Sequence, residues 1–272
     1  MDGNIKELEH KIERAIRLIR AVNRVSSVII AYSGGKDSDI LRFLCKMANV
    51  PYTLIYNSTT IDPPFTISRN ISLGAKIVRP RYSFFDLIRR HGLPNIQRRF
   101  CCSKLKEGYI SPRLLLGVRA SESNKRKARY VEPTGCRIYS KEKHCDQIFP
   151  IFDWSLEDVR TFLIQNDIKL HPIYYNNGVL DVTKRLGCIG CPLQGDRGRA
   201  DFLQYPKMLR QWCRAYADYV SYHKAINGVY EDMVYHIFYS NHGEQKYEQN
   251  FNGLFTPPNA KELLEDFFHV LL

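Results

Sequence analysis

The strongest constraint on this chain is a short β-branched run, Ser27-Val28-Ile29-Ile30-Ala31-Tyr32, which stops at a glycine pair and gives way to helical spacing. An apolar run of that length, bounded by turn residues, reads as a buried strand. Ile40, Leu41, Leu44 and Met47 then put one apolar face on a helix over Asp37–Met47. Between strand and helix lies Ser33-Gly34-Gly35-Lys36-Asp37-Ser38. Two glycines allow a tight turn and a close approach of main chain to ligand. The free N–H groups and positive dipole end of the helix start favour an anion. Ser33 and Ser38 add hydroxyl donors and Lys36 a compact cation, so the segment reads as a pyrophosphate cradle. A Walker A loop would need glycine where Ile30 stands, and the Gly-x-Gly-x-x-Gly pattern is absent. Both of those nucleotide motifs are excluded; a capped turn with no ligand is the plain alternative.

The alternation continues. Ile5, Leu8, Ile12, Ile16 and Ile19 give residues 4–23 the period of an amphipathic helix. A second strand, Tyr52–Tyr56, runs into the polar loop 57–64, where Asn57 and Asp62 sit at a strand end of the kind that receives ligands in open α/β sheets. A helix near 64–73, a strand near 76–79, a helix near 83–91 and a strand over Leu114–Val118 follow. This order predicts an α/β fold in three layers, a mostly parallel sheet with helices on both faces. From 120 to 148 the composition turns to Lys, Arg and Ser with few large aliphatics, which predicts a long surface segment. Ser155 with Asp158 three residues on is an N-cap signal, and Val159, Phe162 and Leu163 supply an apolar face. Residues 196–225 are basic, aromatic-rich and helical in pattern, and Ala260–Leu272 reads as a short apolar helix. The expected division is therefore an α/β domain over 1–195 and a helical C-terminal extension over 196–272.

Forty Lys and Arg against 28 Asp and Glu give a formal charge of +12 over 272 residues. That balance points to anionic partners (nucleotide phosphates, nucleic acid or both) or to a solvated basic surface. The run Lys125-Arg126-Lys127-Ala128-Arg129 fits a polyanion. The aromatics between 202 and 222 fit either base stacking or a helix core. No apolar run approaches the ~18 residues of a membrane span, and the charged N-terminal helix lacks a signal-peptide pattern. The expected setting is the cytoplasm, with no membrane partner.

In a reducing compartment the eight cysteines are metal or redox candidates rather than a disulfide framework. Cys188-Ile-Gly-Cys191-Pro is a CxxC, which alone is ambiguous between zinc, iron–sulfur and a redox dithiol. Cys101-Cys102, between Arg98-Arg99 and Lys104, brings the thiols to four, enough for a Cys₄ zinc site or an iron–sulfur cluster. Adjacent cysteines are unusual ligands for tetrahedral zinc; Cys136, Cys145, Cys188 and Cys191 form the zinc alternative, and four reduced thiols the metal-free one. Cys45 and Cys213 lie in helical patterns as core filler.

Ser33–Ser38 after a strand resembles the PP-loop of the ATP pyrophosphatase superfamily, a HUP-like fold. Tyr56–Pro64, Arg99–Glu107, Gly117–Ser123, Pro150–Trp154 and Gly187–Leu193 resemble successive motifs of the phosphoadenosine-phosphosulfate (PAPS) reductase-like family, in family order over roughly 27–195. The resemblance implies that Ser33, Gly34, Gly35, Lys36, Asp37 and Ser38 hold the phosphates of ATP or an adenylyl sulfate, with Arg119 of Gly-Val-Arg beside them. Lys36 and Arg119 are then the catalytic candidates, and Mg²⁺ bridges the phosphates. It also implies a 4Fe–4S cluster on Cys101, Cys102, Cys188 and Cys191. The family's sulfate-reducing route uses a C-terminal Cys-Gly-[Leu/Ile]-His cysteine, and this chain has no cysteine after Cys213. The expected activity is therefore DndC-like: ATP cleavage to AMP and pyrophosphate, activating an acceptor, DNA or tRNA, for sulfur from a cysteine desulfurase or other donor. Adenylyl-sulfate reduction and a non-catalytic nucleotide-binding regulatory or defence-complex subunit are the alternatives.

Overall fold

The β-branched run forms β1 (Val28–Ala31), preceded by α1 (Asp2–Val25) and followed by α2 (Lys36–Met47). A computed structural model describes residues 2–107, 111–122, 128, 132–140, 143–223, 228–239 and 259–272. Next come β2 (Tyr52–Asn57), α3 (Thr66–Ser72), β3 (Lys76–Val78), α4 (Phe84–His91) and a π-helical turn over Cys102–Lys106. Then follow β4 (Arg113–Leu115), β5 (Thr134–Ser140), β6 (Lys143–Ile148), α5 (Leu156–Gln165) and the small ladder β7 (Tyr175–Asn176) and β8 (Val179–Leu180). The chain closes with α6 (Asp196–Gln204), α7 (Pro206–His223), α8 (Val229–Val234) and α9 (Ala260–Phe268). Two compact units result, each assembled from separated stretches. The first holds Met1–Asn57, Pro64–Val78 and Tyr109–Leu186, the second Ser58–Pro63, Arg79–Gly108 and Gly187–Leu272.

The first unit is the expected α/β sheet. Its six strands run in the order β3-β2-β1-β4-β6-β5. Every neighbouring pair is parallel except β5 with β6. The order reverses between β1 and β4, which pair through Ile30 and Leu115. In open sheets the carboxyl ends at such a reversal form the ligand crevice. Ile19, Ile30, Ile40, Leu41, Leu44, Leu115, Trp154 and Phe162 fill the core. α5 begins at the Ser155 cap: Ser155 Oγ accepts from the Asp158 amide at 3.0 Å, and Asp158 Oδ2 accepts from the Ser155 amide at 2.7 Å. The same carboxylate takes Lys11 Nζ at 2.9 Å, tying α5 to α1.

Two expectations need correction. The stretch 120–148 is not simply a surface segment, because β5 and β6 lie within it as the antiparallel edge of the sheet. Their polar composition is that of an edge: Ile138 faces out at 76% exposure while Cys145 and Ile148 are buried. The strand expected over Leu114–Val118 ends at Leu115, ahead of Gly117. The basic run 125–129 lies outside the described residues except for Ala128.

The second unit has its own aromatic core. Phe84 of α4 meets Trp212 of α7 at 4.7 Å between ring centroids, and Phe202 of α6 meets Trp212 at 5.6 Å and Phe268 of α9 at 5.9 Å. Phe202, Trp212 and Tyr216 are buried, so these aromatics are core, whereas Tyr222 is exposed. Cys213 is buried among them and Cys45 is buried in the first unit, as expected of filler. No helix among the described residues is long and apolar enough to cross a membrane.

His236 is buried beside Trp212, ring centroids 5.5 Å apart. Burial alone pushes its imidazole down to about 4. Below pH 6.5 an unfolded chain takes up this proton and the folded one does not, so stability falls as pH drops toward 4, by at most about 1.4 kcal/mol per pH unit for one proton. Urea unfolding midpoints followed between pH 7 and 4 should show this decline, and a His236→Phe variant should flatten it. An equal slope in the variant would assign the effect to other groups.

Candidate functional site

The glycine loop closes over the end of β1 in the first unit. Gly34 takes φ +74°, a backbone that side chains rarely adopt, and a Cβ there would stand 2.6 Å from Asn70 Oδ1. Ser33 and Ser38 face each other, their Oγ atoms 3.2 Å apart. Ser33 Oγ accepts from the Gly35 amide at 3.3 Å, and Ser38 Oγ donates to the Gly35 carbonyl at 2.8 Å. Tyr174 braces the loop from outside the motif, its hydroxyl accepting from the amides of Lys36 and Leu186 at 3.2 Å each. Behind the loop, Asp39 is fully buried and holds Tyr32 Oη at 2.6 Å and Arg69 at 2.7 Å, and Arg69 also reaches the Gly34 carbonyl at 3.4 Å.

Two cations converge on one carboxylate here. Lys36 Nζ lies 3.2 Å from Asp37 Oδ2 and Arg119 Nε donates to Asp37 Oδ1 at 2.7 Å. Lys36 and Arg119 are 3% and 4% exposed, so among the described residues these two cations, with the neighbouring Arg185–Glu122 pair, leave one unit of positive charge in a nearly dry place. Burial pulls the Lys36 ammonium below its ordinary value, with Asp37 opposing and Arg119 and Arg185 adding to the effect. Arg119 arrives on the segment after β4 and is steadied by Ser121 Oγ at 3.0 Å. That segment can come so near only because residue 117 is glycine: a Cβ there would stand 2.9 Å from the Asp37 main-chain carbon. Asn70 is fully buried beside Gly34, and neither of its amide atoms has a partner. Buried charge in excess and an orphaned amide at the glycine turn are the features an anionic ligand would answer.

In the second unit all four cysteines of the two pairs line one small pocket, with Thr59, Ile61, Phe84, Leu105, Lys106 and Trp212. The π-helical turn carries Cys102 and Lys106, and the Gly190 turn carries Cys188 and Cys191. A Cβ on Gly190 would overlap Phe202 at 2.4 Å, and one on Gly198 the Cys191 carbonyl at 2.3 Å, so both glycines are needed for this packing. A hydrogen bond between the adjacent thiols holds Cys102 low and Cys101 high. Burial pushes Cys188 and Cys191 up. The Cys188, Cys191 and Cys102 sulfurs favour the Lys106 ammonium, pushing it up to about 12. Among the described residues no three His, Cys, Asp or Glu groups stand together at metal-ligating spacing. The donor chemistry of the pocket, four sulfurs in apolar surroundings, nonetheless suits a thiophilic metal or cluster.

The sequence-expected residues thus separate into two groups. Ser33–Ser38 and Arg119 come together in the first unit, with Asn57 at the end of β2. Asp62, expected at the nucleotide, is taken up by its own loop, accepting from Ser58 Oγ at 3.1 Å, the Thr59 amide at 3.0 Å and Thr59 Oγ1 at 2.5 Å. Cys136 and Cys145 lie on β5 and β6. Sequence reasoning missed Arg69, Asn70 and Tyr174, whose contribution comes from distant parts of the chain and leaves no local spacing signal. It also passed over Gly117 and Lys106, which stood inside quoted motifs: a glycine two residues before an arginine at a strand end was the readable clue.

A doubly wound α/β sheet with a cationic glycine loop at its point of reversal defines the class. Residues 27–194 match the phosphoadenosine phosphosulfate reductase domain, and the chain belongs to that family. It is 25% identical over 208 residues to an uncharacterized protein of Methanocaldococcus jannaschii, covering 70% of this chain and 47% of that protein. The chain therefore spans about half the length of this curated relative. Among solved structures it is similar to a phosphate complex of phosphoadenylyl-sulfate (PAPS) reductase from Candida auris (14% identity, TM-score 0.47, 67% of this chain and 94% of that one). It is also similar to FMN adenylyltransferase from Candida glabrata (14% identity, TM-score 0.43, 68% and 63%).

Gly117→Ala tests the close approach. The added methyl must displace the Asp37 main chain, which should cost about 1–3 kcal/mol in thermal or urea unfolding and weaken binding of inorganic pyrophosphate measured by calorimetry. Unchanged stability and uptake would show that the two segments are not held together.

Proposed function

We propose that this protein binds ATP through the Ser33–Ser38 loop and cleaves it to AMP and pyrophosphate to activate an acceptor for sulfur transfer. The observation that carries this reading is the buried pair Lys36 and Arg119 sharing one carboxylate, Asp37, at the reversal of the sheet. The β- and γ-phosphates supply the missing negative charge, and Mg²⁺, if it accompanies ATP, would offset part of the charge on the departing pyrophosphate. Lys36 and the loop hydroxyls hold the departing pyrophosphate, and the Arg119 guanidinium suits bidentate contact with phosphate oxygens. An acceptor oxygen attacks the α-phosphorus, the bond from that phosphorus to the bridging β-oxygen breaks, and pyrophosphate leaves with the electron pair. A sulfur nucleophile then displaces AMP from the adenylylated acceptor. Asp37 keeps both cations aimed at the phosphates rather than at each other.

Cys101, Cys102, Cys188 and Cys191 would hold a 4Fe–4S cluster, which when bound supplies a soft site for sulfide or an electron. Lys106 offsets negative charge gathered on these sulfurs. Sulfate reduction is less well supported. Cys213, the last cysteine of this chain, is buried in α7 with its thiol pushed up to about 12 by burial, which does not suit a travelling nucleophile.

Two measurements test the reading. Purified protein should release pyrophosphate from ATP in the presence of Mg²⁺, and Lys36→Ala should lower the rate roughly 10²-fold or more without a change in melting temperature. Sulfite release from an adenylyl sulfate with thioredoxin, and no pyrophosphate, would replace this activity by the reductase. Anaerobically purified protein should be brown and contain iron and acid-labile sulfide, both lost in a Cys188→Ser/Cys191→Ser variant. Stoichiometric zinc, or no metal, would overturn the cluster assignment.

A further inference from the structure

Half of the chain's excess positive charge sits in one short stretch of the second unit. Residues 79–107 contain eight Lys and Arg (79, 81, 89, 90, 98, 99, 104, 106) against two acids (Asp86 and Glu107), a net of +6 from 8 − 2. One arginine is spent on structure: Arg89 binds Asp86 at 3.2 Å and Asp218 at 2.8 Å. Arg81, Arg90, Arg98, Arg99 and Lys104 are exposed, and none has an acidic partner among the described residues. An ordinary solvated surface interleaves the two signs; this one does not.

These side chains form one connected patch. The Arg81 and Arg90 guanidinium carbons lie 5.3 and 3.9 Å from the centroid of the same ring, Tyr82. His91, next to Arg90, meets Phe100 with centroids 5.1 Å apart, which joins the end of α4 to the segment carrying Arg98 and Arg99. Partial burial first, and then the charges of Lys104, Arg90 and Arg98, hold the His91 ring below its ordinary value. Like charges gathered at such range repel one another, and a partner carrying closely spaced negative charge relieves that repulsion. The same stretch continues into Cys101 and Cys102 on the wall of the thiol pocket.

We propose that this patch, from Arg81 through Arg90 to Arg98 and Lys104, is a docking surface for the phosphodiester backbone of a nucleic acid. Two features favour nucleic acid over an acidic protein or an anionic membrane. Four of the five free cations are arginines, whose planar forks match phosphate bidentately. Around them stand the rings of Tyr82, His91 and Phe100, with one exposed aliphatic side chain, Ile96, where entering a bilayer takes a whole apolar face. As the acceptor of the chemistry proposed above, the nucleic acid rests on that reading. As a ligand, it is measured without ATP.

The test uses the full chain and fluorescence anisotropy with labelled single-stranded DNA, the matching duplex and a tRNA transcript over a range of salt. At least one should bind, with affinity falling steeply as salt rises. Arg81→Ala/Arg90→Ala/Arg98→Ala should weaken it about ten-fold or more and reduce the log–log salt slope by about 2–3. Arg98→Glu alone should act in the same direction should the triple variant unfold. The charge-matched Arg17→Ala/Arg24→Ala/Lys46→Ala variant of α1 and α2 should bind as wild type. Equal loss in the two triples, no loss in the first, no binding to any of the three, or tighter binding to polyglutamate or phosphatidylserine vesicles would each overturn the proposal. Calorimetric uptake of ATP by the patch variant separates the two readings: it should be unchanged, and absence of ATP uptake in wild type counts against the nucleotide site alone.

Discussion

Two buried cations sharing one carboxylate set the terms for the first unit. Folding strips water from Lys36 and Arg119 and returns one shared carboxylate, Asp37, with the Ser121 hydroxyl on Arg119. Such an arrangement costs stability unless other contacts hold it in place, and the surrounding structure consists largely of those contacts. Tyr174 satisfies the Lys36 amide, Arg69 and Asp39 brace the loop from behind, and Gly117 lets the Arg119 segment lie against Asp37. The result is a turn whose charges and donors are fixed by the fold itself, the preorganisation that the nucleotide reading proposed above calls for.

The second unit solves a different problem, keeping reactive sulfur in an apolar setting. Its thiols come from turns far apart in the chain, and they meet because Gly190 and Gly198 allow the Cys188–Cys191 segment to press against α6. Phe84, Phe202 and Trp212 make the hydrophobic frame. Lys106 puts a cation among the sulfurs, so an anionic sulfur species would meet less repulsion there than in a purely apolar hole.

Legibility followed the range of the interactions. β1, the glycine loop and α2 were readable because strand, turn and helix signals are local, and the same holds for the Ser155 cap. β5 and β6 were not, since the polar strands at this side of the sheet have the composition of a loop and only the pairing of β6 with β4 and of β5 with β6 reveals them. Asp62 carries a second kind of local signal: an acid in a polar loop at a strand end, it is also held by three donors from Ser58 and Thr59, contacts that its sequence position did not announce. Tyr174 and Arg69 act across 138 and 35 residues of sequence, and no periodicity encodes that.

The same distinction explains which part of a nucleotide this sequence could announce. Phosphate recognition uses main-chain amides, two hydroxyls and cations, most of them within six consecutive residues, and it depends on charge rather than on the identity of the group attached. An adenine ring or an acceptor must instead be met by side chains gathered from several strands and loops, where each position alone is ambiguous. The uncompensated charge on Lys36 and Arg119 therefore argues for a polyphosphate end more firmly than any residue argues for a base. Arg69 and Asn70 sharpen the point. They stand on α3, outside the motif, and meet Gly34 from their own helix, so the turn's shape is set in part by residues that no local motif includes.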